Sequence, residues 1–141
     1  AVICTPAGSV VALVQALAER GTCAAIVLTA GLTTEQKAAM QATARPHLLR
    51  LLGPNCIGLL SSPAKLNASF AHINARDGQL AFVSQSGALV TAVLDWADAQ
   101  AIGFSHIVSL GEHLDVDFGD IAAPRPRGPV DARPVTRMLS A

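Results

Sequence analysis

Residues 80–96 read LAFVSQSGALVTAVLDW, and the spacing of their apolar residues changes at the Ser-Gln-Ser-Gly in the middle. Residues 80–83 form a short apolar run, which predicts a buried strand. Residues 88–97 carry apolar side chains at helical spacing, and another apolar run follows at residues 104–110. A strand, a helix and a second strand in this order form a βαβ unit, which predicts a parallel sheet with a right-handed crossover.

The first half of the chain repeats this alternation. Three further apolar runs predict strands, at residues 1–5, 24–29 and 48–52. A helical pattern fills residues 10–20, and Thr33 and Gln36 have the spacing of a capping box at the start of a second helix, which Pro46 ends. The sequence therefore predicts an α/β fold with parallel sheets.

Composition limits the kinds of partner. The chain has 141 residues, 51% of them hydrophobic, and no net charge, and residues 77–124 contain acidic residues but no Lys or Arg. We therefore expect no nucleic-acid partner, and no apolar run approaches the roughly 20 residues of a membrane span. The cysteines, Cys4, Cys23 and Cys56, are odd in number and lack CxxC spacing, which argues against disulfides and favours a reducing cytoplasm.

The Ser-Gln-Ser-Gly break is the first candidate site. A strand that turns directly into a helix leaves unpaired N–H groups at the carboxyl edge of the sheet, where they favour an anion. Gly87 lets the backbone come close, and Ser84 and Ser86 add hydroxyl donors, so a phosphate or phosphoryl cradle is one interpretation. The alternatives are an ordinary N-cap by Ser86, and a serine hydrolase in which Ser86 is the nucleophile, although the Gly-x-Ser-x-Gly elbow is absent.

The second candidate site is GPNCIG, at residues 53–58. Two glycines and a proline favour a tight turn after the strand at 48–52, which would place Asn55 and Cys56 at the carboxyl edge of the sheet. Open α/β sheets bind their ligands at this edge. The alternative is that Cys56 is a small buried residue and Asn55 a turn former.

Four segments in this order, GPNCIGLL, LNASF, GQLAFVSQSGALVTAVLDWA and IGFSHIVSLGEHLDVDFGD, resemble the NDP-forming acyl-CoA synthetases. That family includes ADP-forming acetate–CoA ligase, the α subunit of succinyl-CoA synthetase and bacterial protein lysine acetyltransferases with a synthetase-like half. The resemblance implies that residues 1–62 are the C-terminal part of a Rossmann-like CoA-binding domain. It further implies a linker at 63–77 and the N-terminal part of a flavodoxin-like, succinyl-CoA-synthetase-type ligase domain at 78–120, leaving an atypical Pro/Arg-rich tail at 121–141.

The resemblance also implies roles for residues and a chemistry. Acyl-CoA and phosphate would give an acyl phosphate, whose phosphoryl group passes to a histidine and then to a nucleoside diphosphate. Thr29, Ala30 and Gly31 would lie along CoA, and Asn55 and Cys56 near its thiol end. The phosphoryl group in transit would be held by the residues of the Ser-Gln-Ser-Gly turn, namely Ser84, Gln85, Ser86, Gly87 and Ala88.

Other parts of the family are expected outside this chain. A first strand with a Gly-rich turn would precede Ala1, the phosphorylated histidine would follow Asp120, and ATP or ADP with Mg²⁺ would bind an ATP-grasp domain or subunit. We therefore expect that the chain alone does not turn over, and the tail suggests a truncated or frame-shifted product. The alternative function is a non-catalytic CoA- or anion-binding module acting with a complete synthetase or acetyltransferase.

None of the four histidines matches the phosphorylated one of the family. His113 lies in GEHLDVD beside Glu112, Asp115 and Asp117. One histidine and alternate carboxylates also describe a solvated loop, and this interpretation is preferred over a metal site because metals require more ligands than the segment offers.

Overall fold

The computed structural model describes residues 1–122. Its strands are β1 (Val2–Ile3), β2 (Ala24–Val27), β3 (Arg50–Leu52), β4 (Gly58–Ser61), β5 (Leu66–Ser69), β6 (Asp77–Ser84) and β7 (Phe104–Ser109). Its helices are α1 (Ala7–Glu19), α2 (Thr34–Ala44), α3 (Gly87–Ala99) and α4 (Phe118–Ala122), with a 3-10 turn at Arg45–His47.

The strands form two sheets. Sheet A has the order β1-β2-β3 and is parallel throughout, and sheet B has the order β5-β4-β7-β6. In sheet B, β6 and β7 are parallel, whereas β4 runs antiparallel to both β5 and β7. The predicted α/β class is confirmed, and so is the parallel pairing in sheet A and between β6 and β7. The expectation of parallel pairing throughout is wrong for β4 and β5. The sequence predicts no strand at either place: β4 begins at the end of the GPNCIG turn, and β5 lies in the expected linker.

Local sequence signals explain where the helices begin. The Thr33 hydroxyl accepts a hydrogen bond from the Gln36 amide while the Gln36 side chain accepts one from the Thr33 amide, so the predicted capping box is confirmed. Helix α3 begins after Ser86, whose hydroxyl accepts from the Leu89 amide at 3.3 Å. Both helices therefore begin where a side chain replaces a missing intrahelical bond.

Three hydrophobic clusters hold the elements together. The first packs α1 and α2 on sheet A, around Val10, Met40 and Leu51, and the third packs α3 on sheet B, around Leu94 and Ile107. The second cluster joins residues of both sheets, namely Ile26, Leu52, Cys56, Leu59, Val108, Leu110 and Val116. This shared cluster packs the two sheets against one another.

The predicted division of the chain at residues 62 and 78 stays a prediction. Strand β4 lies before residue 62 but is hydrogen-bonded in sheet B, and β5 lies within the predicted linker 63–77. Most of the predicted tail at 121–141 lies outside the described residues. Within residues 1–122, none of the helices has the length and apolar character to cross a membrane.

Candidate functional site

A cleft of about 800 Å³ lies at the ends of four strands, a parallel pair from each sheet. Each of these strands, β2, β3, β6 and β7, is followed by a loop that contributes to the wall of the cleft. The residues that line it are Leu28, Ala30, Asn55, Cys56, Ile57, Phe70, Ser84, Gln85, Ser86, Gly87, Ala88, Gly111 and Glu112. The size is in the range of small-molecule sites, which occupy roughly 300–1,000 Å³ and favour such strand ends.

The turn after β3 is joined to the loop after β2. The Asn55 amide donates to the carbonyl of Thr29 at 3.0 Å, and the Thr29 hydroxyl donates to the carbonyl of Thr5 at 2.7 Å. The Gly53–Pro54 peptide bond is cis, and Asn55 has a φ of 57° with an exposed side chain. The tight turn therefore holds the side-chain carboxamide of Asn55 at the mouth of the cleft.

The loop after β7 closes onto the same turn. The Glu112 amide donates to the carbonyl of Pro54 at 2.9 Å, and the Leu114 amide donates to the carbonyl of Gly53 at 3.2 Å. Gly111 has a φ of 58°, and a Cβ at this position would lie 2.2 Å from the Pro54 carbonyl oxygen. A side chain at Gly111 is therefore excluded both by backbone conformation and by space.

The Ser-Gln-Ser-Gly turn forms another part of the cleft lining. The Ser84 hydroxyl accepts from the Ser86 amide at 3.1 Å, and the Ser86 hydroxyl caps the Leu89 amide, as the N-cap alternative expects. The first backbone N–H groups of an α-helix have no intrahelical acceptor, and in α3 these include the N–H groups of Gly87 and Ala88. These two N–H groups remain available for an anion, and the helix dipole favours negative charge there.

Cys56 contributes to the lining of the cleft, although its side chain is almost fully buried. Its side chain is 2% exposed, and Sγ donates to the carbonyl of Val27 at 3.4 Å. Burial raises the pKa of the Cys56 thiol to about 12. The thiol therefore stays protonated at neutral pH, so it is not a nucleophile and contributes to the cleft by holding the turn against β2.

The cleft brings together most of the residues singled out from the sequence. The phosphoryl-site candidates Ser84, Gln85, Ser86, Gly87 and Ala88 line it together with Ala30, Asn55 and Cys56. Thr29 and Gly31 are not among its lining residues, and the Thr29 side chain instead holds the backbone of Thr5. Sequence reasoning did not single out Leu28, Ile57, Phe70 and Gly111, although Phe70 stands in the LNASF segment that carries part of the resemblance.

Three acidic residues of the segment that follows β7 form ion pairs. Glu112 lies 2.5 Å from Lys37 of α2, and Arg50 contacts Asp115 at 3.0 Å and Asp120 at 2.8 Å. Burial by itself lowers the pKa of Arg50, but the hydrogen bonds to Asp120 and Asp115 outweigh this effect and raise it. Within the described part of the chain, no group of three or more His, Cys, Asp or Glu side chains is placed to hold a metal ion.

Comparison with protein families matches both halves of the chain. The family described as "CoA binding domain" matches residues 1–62, and the family described as "Succinyl-CoA ligase like flavodoxin domain" matches residues 77–124. The two halves of the chain therefore match the CoA-binding and ligase domains of the NDP-forming acyl-CoA synthetases, the family that the sequence motifs resemble.

Several relatives of the chain are ADP-forming acetate–CoA ligases. The α subunit of ADP-forming acetate–CoA ligase I from Pyrococcus furiosus is 38% identical over 127 residues, covering 86% of this chain and 28% of the relative. The ADP-forming acetate–CoA ligase of Methanocaldococcus jannaschii is 34% identical over 86% of this chain and 18% of its own length. The chain thus spans less than a third of the length of these relatives.

A solved structure shows the same architecture. The dinucleotide-forming acetyl-coenzyme A synthetase 1 of Ca. Korarchaeum cryptofilum, in complex with phosphate and ADP, superimposes with a TM-score of 0.81 at 35% identity. The superposition covers 85% of this chain and 27% of that one. The Rossmann-like and flavodoxin-like character of the two halves is confirmed by this likeness.

Proposed function

We propose that this chain binds CoA and handles the phosphoryl group of an ADP-forming acyl-CoA synthetase, with a short acyl group such as acetyl as substrate. One observation carries the proposal. The turn expected near the thiol end of CoA and the helix N-terminus expected to bind phosphate line a single cleft. Acyl transfer from sulfur to phosphate requires both reactants in one place, and this cleft supplies the place.

The chain's own groups act on the reactants in distinct ways. The amides of Gly87 and Ala88 hold the attacking phosphate, since backbone donors fixed by a helix stabilise negative charge without reorganising. Asn55 presents its side chain at the thiol side of the cleft, and the loop from Leu28 to Gly31 lies along CoA. The buried thiol of Cys56 fixes the Asn55 turn and takes no part in acyl transfer.

The proposed partner follows from the chemistry, and the proposed compartment follows from the cysteines. Passing the phosphoryl group to a nucleoside diphosphate needs a histidine segment and a nucleotide site, so we propose an ATP-grasp domain or subunit as the partner that binds ADP, ATP and Mg²⁺. All three cysteines are free thiols, two of them exposed, which fits a reducing compartment such as the cytoplasm.

A substitution that preserves the helix cap but adds a negative charge to it tests the phosphate site. Ser86→Asp keeps an N-cap side chain of equal quality, so we expect the free energy of unfolding to stay within about 0.5 kcal/mol of wild type. The added carboxylate repels an anion at the Gly87 amide. Calorimetric titration with inorganic phosphate should therefore show at least a roughly tenfold loss of affinity, corresponding to about 1.4 kcal/mol.

The control repeats the change at a helix that does not face the cleft. Thr33 is the N-cap of α2, and Thr33→Asp adds the same charge outside the cleft lining. We expect wild-type affinity for both phosphate and CoA in this variant. Saturable CoA binding by wild-type chain supports the proposal, whereas a cooperatively folded chain that takes up neither CoA nor phosphate would overturn it.

A further inference from the structure

The cleft contains an aromatic side chain that folding alone leaves uncovered. Phe70 is 63% exposed although it lines the cleft, and its amide donates to the carbonyl of Ile57 at 3.1 Å. This bond fixes Phe70 beside the turn that follows β3. An exposed phenyl ring in a ligand cleft is removed from water when a ligand covers it, and this burial favours binding.

Ile57 connects this ring to the phosphate-binding amides. Its side chain is buried and lies so close to α3 that a Cβ added at Gly87 would be 2.7 Å from Ile57 Cγ1. The apolar surface of Ile57 and Phe70 therefore begins directly beside the first amide of the helix. Because Ile57 and Gly87 are already in contact, the space between them is filled.

The reaction requires an apolar group at this position. In the proposed acyl transfer the carbonyl carbon lies between the CoA sulfur, on the Asn55 side, and a phosphate oxygen, at Gly87. The sulfur–carbon bond breaks as the oxygen–carbon bond forms, and the sulfur leaves as thiolate. The remainder of the acyl group then points away from both reacting atoms. The apolar lining residues linked to both sides are Ile57, which follows Asn55 by two residues and packs against Gly87, and Phe70, which is hydrogen-bonded to Ile57.

We infer that Ile57 and Phe70 form the acyl subsite and that the Phe70 ring sets the longest acyl chain accepted. The inference rests on the proposed function and extends it to substrate choice. The contact between Ile57 and Gly87 blocks growth of the acyl chain between these two residues, so a longer chain extends toward the exposed ring of Phe70. A short acyl group fits beneath the ring, whereas each further methylene must displace it.

A series of acyl-CoA esters measures this limit in the full chain. Calorimetric titrations with CoA, acetyl-CoA, butyryl-CoA and hexanoyl-CoA would be compared for wild type, Phe70→Ala and Phe70→Trp. One poorly fitting methylene changes affinity by roughly 10–200-fold, so wild type should bind acetyl-CoA at least about tenfold more tightly than hexanoyl-CoA. Phe70→Ala should reduce that ratio to about twofold or less, Phe70→Trp should extend the discrimination to butyryl-CoA, and both should bind CoA itself as wild type does.

Phe118→Ala is the matched control, because Phe118 is 50% exposed and lies outside the cleft lining. It should leave every affinity unchanged. The inference is overturned if Phe70→Ala leaves the hexanoyl-to-acetyl ratio unchanged, or weakens CoA and all its esters equally. If wild-type chain binds none of the compounds, including CoA, the proposed function fails and the acyl subsite fails with it; these results are distinguishable because CoA carries no acyl group.

Discussion

Gly87, the first residue of α3, lies directly against Ile57 in the turn that follows β3. A Cβ at Gly87 would come within 2.7 Å of Ile57 Cγ1 and 3.1 Å of Ile57 Cδ1. This contact joins the two walls of the cleft, because Gly87 begins the helix that presents the free amides and Ile57 follows Asn55 and Cys56. The absence of a side chain at Gly87 therefore lets the proposed phosphate and thiol sides of the cleft approach one another.

The first prediction tests this contact with Gly87→Ala. The added methyl group overpacks the interface with Ile57, which typically costs about 1–3 kcal/mol, and the loss should appear as a lower urea midpoint with an unchanged m value. Gly8→Ala is the control, since Gly8 lies in helix α1 with no atom within 4 Å of an added Cβ, and it should stabilise by up to about 1 kcal/mol. Adding Ile57→Ala to Gly87→Ala should remove the overpacking, so additive effects of the two changes would contradict the contact.

The elements that sequence reasoning recovered are those with local signals. The period of residues 88–97 and the pairing of Thr33 with Gln36 are properties of a few consecutive residues, and α3 and the α2 cap form as expected. Strands β4 and β5 were missed because their pairing is set by distant partners, such as Leu59 opposite Val108. Their four-residue segments also lack a clear alternation of apolar and polar side chains.

The same distinction applies to the segment after α3 and to the cleft. Helix α3 ends at Ala99 with Gln100 as its C-cap, and Gly103 packs on β6, where an added Cβ would lie 2.0 Å from the Asp77 carbonyl oxygen. The Ser-Gln-Ser-Gly and GPNCIG turns could be found from their small and turn-forming residues. Phe70 could not, because its place in the cleft depends on a hydrogen bond to Ile57, thirteen residues earlier.

The second prediction concerns the ion pairs of Arg50, which tie β3 to the segment after β7. Arg50 is partly buried between Asp115 and Asp120, so Arg50→Leu leaves two carboxylates facing an apolar side chain. We expect a loss of about 1–3 kcal/mol, between the values for exposed and buried ion pairs. Arg76→Leu is the control, because the Arg76–Asp98 pair has about half of each side chain exposed, and it should cost no more than about 1 kcal/mol. Equal losses in the two variants, measured by urea unfolding, would argue against the Arg50 bridge.

The third prediction separates the backbone role of Asn55 from its side-chain role. Because φ is 57° at this position, Asn55→Gly should keep the free energy of unfolding near that of wild type. Asn55→Val places a β-branched residue in the left-handed region and should cost about 1–2 kcal/mol. Both variants lack the side-chain carboxamide of Asn55, so both should bind CoA more weakly. Equal stability of the two variants would contradict the turn geometry, and wild-type CoA affinity in Asn55→Gly would contradict a side-chain contact.

The fourth prediction follows from the burial of Cys56. Cys4 and Cys23 are exposed and Cys56 is buried, so iodoacetamide at pH 8 should modify two thiols of the folded chain rapidly and all three in urea. Cys23→Ala should reduce the rapid reaction to one thiol. Rapid modification of all three thiols in the folded wild-type chain would show that Cys56 is accessible.

The raised pKa of Cys56 also gives a dependence of stability on pH. Its folded-state pKa of about 12 exceeds the ordinary value of 9.0, so between these values the folded chain binds more protons than the unfolded chain. Stability linked to Cys56 is therefore complete below pH 9 and decreases as the pH rises toward 12. In urea titrations between pH 9 and 11, wild type should lose up to about 1.4 kcal/mol per pH unit more than Cys56→Ala, the slope for one proton. The comparison cancels groups that titrate in both proteins, so parallel curves would mean that the Cys56 thiol ionises in the folded chain as it does in the unfolded one.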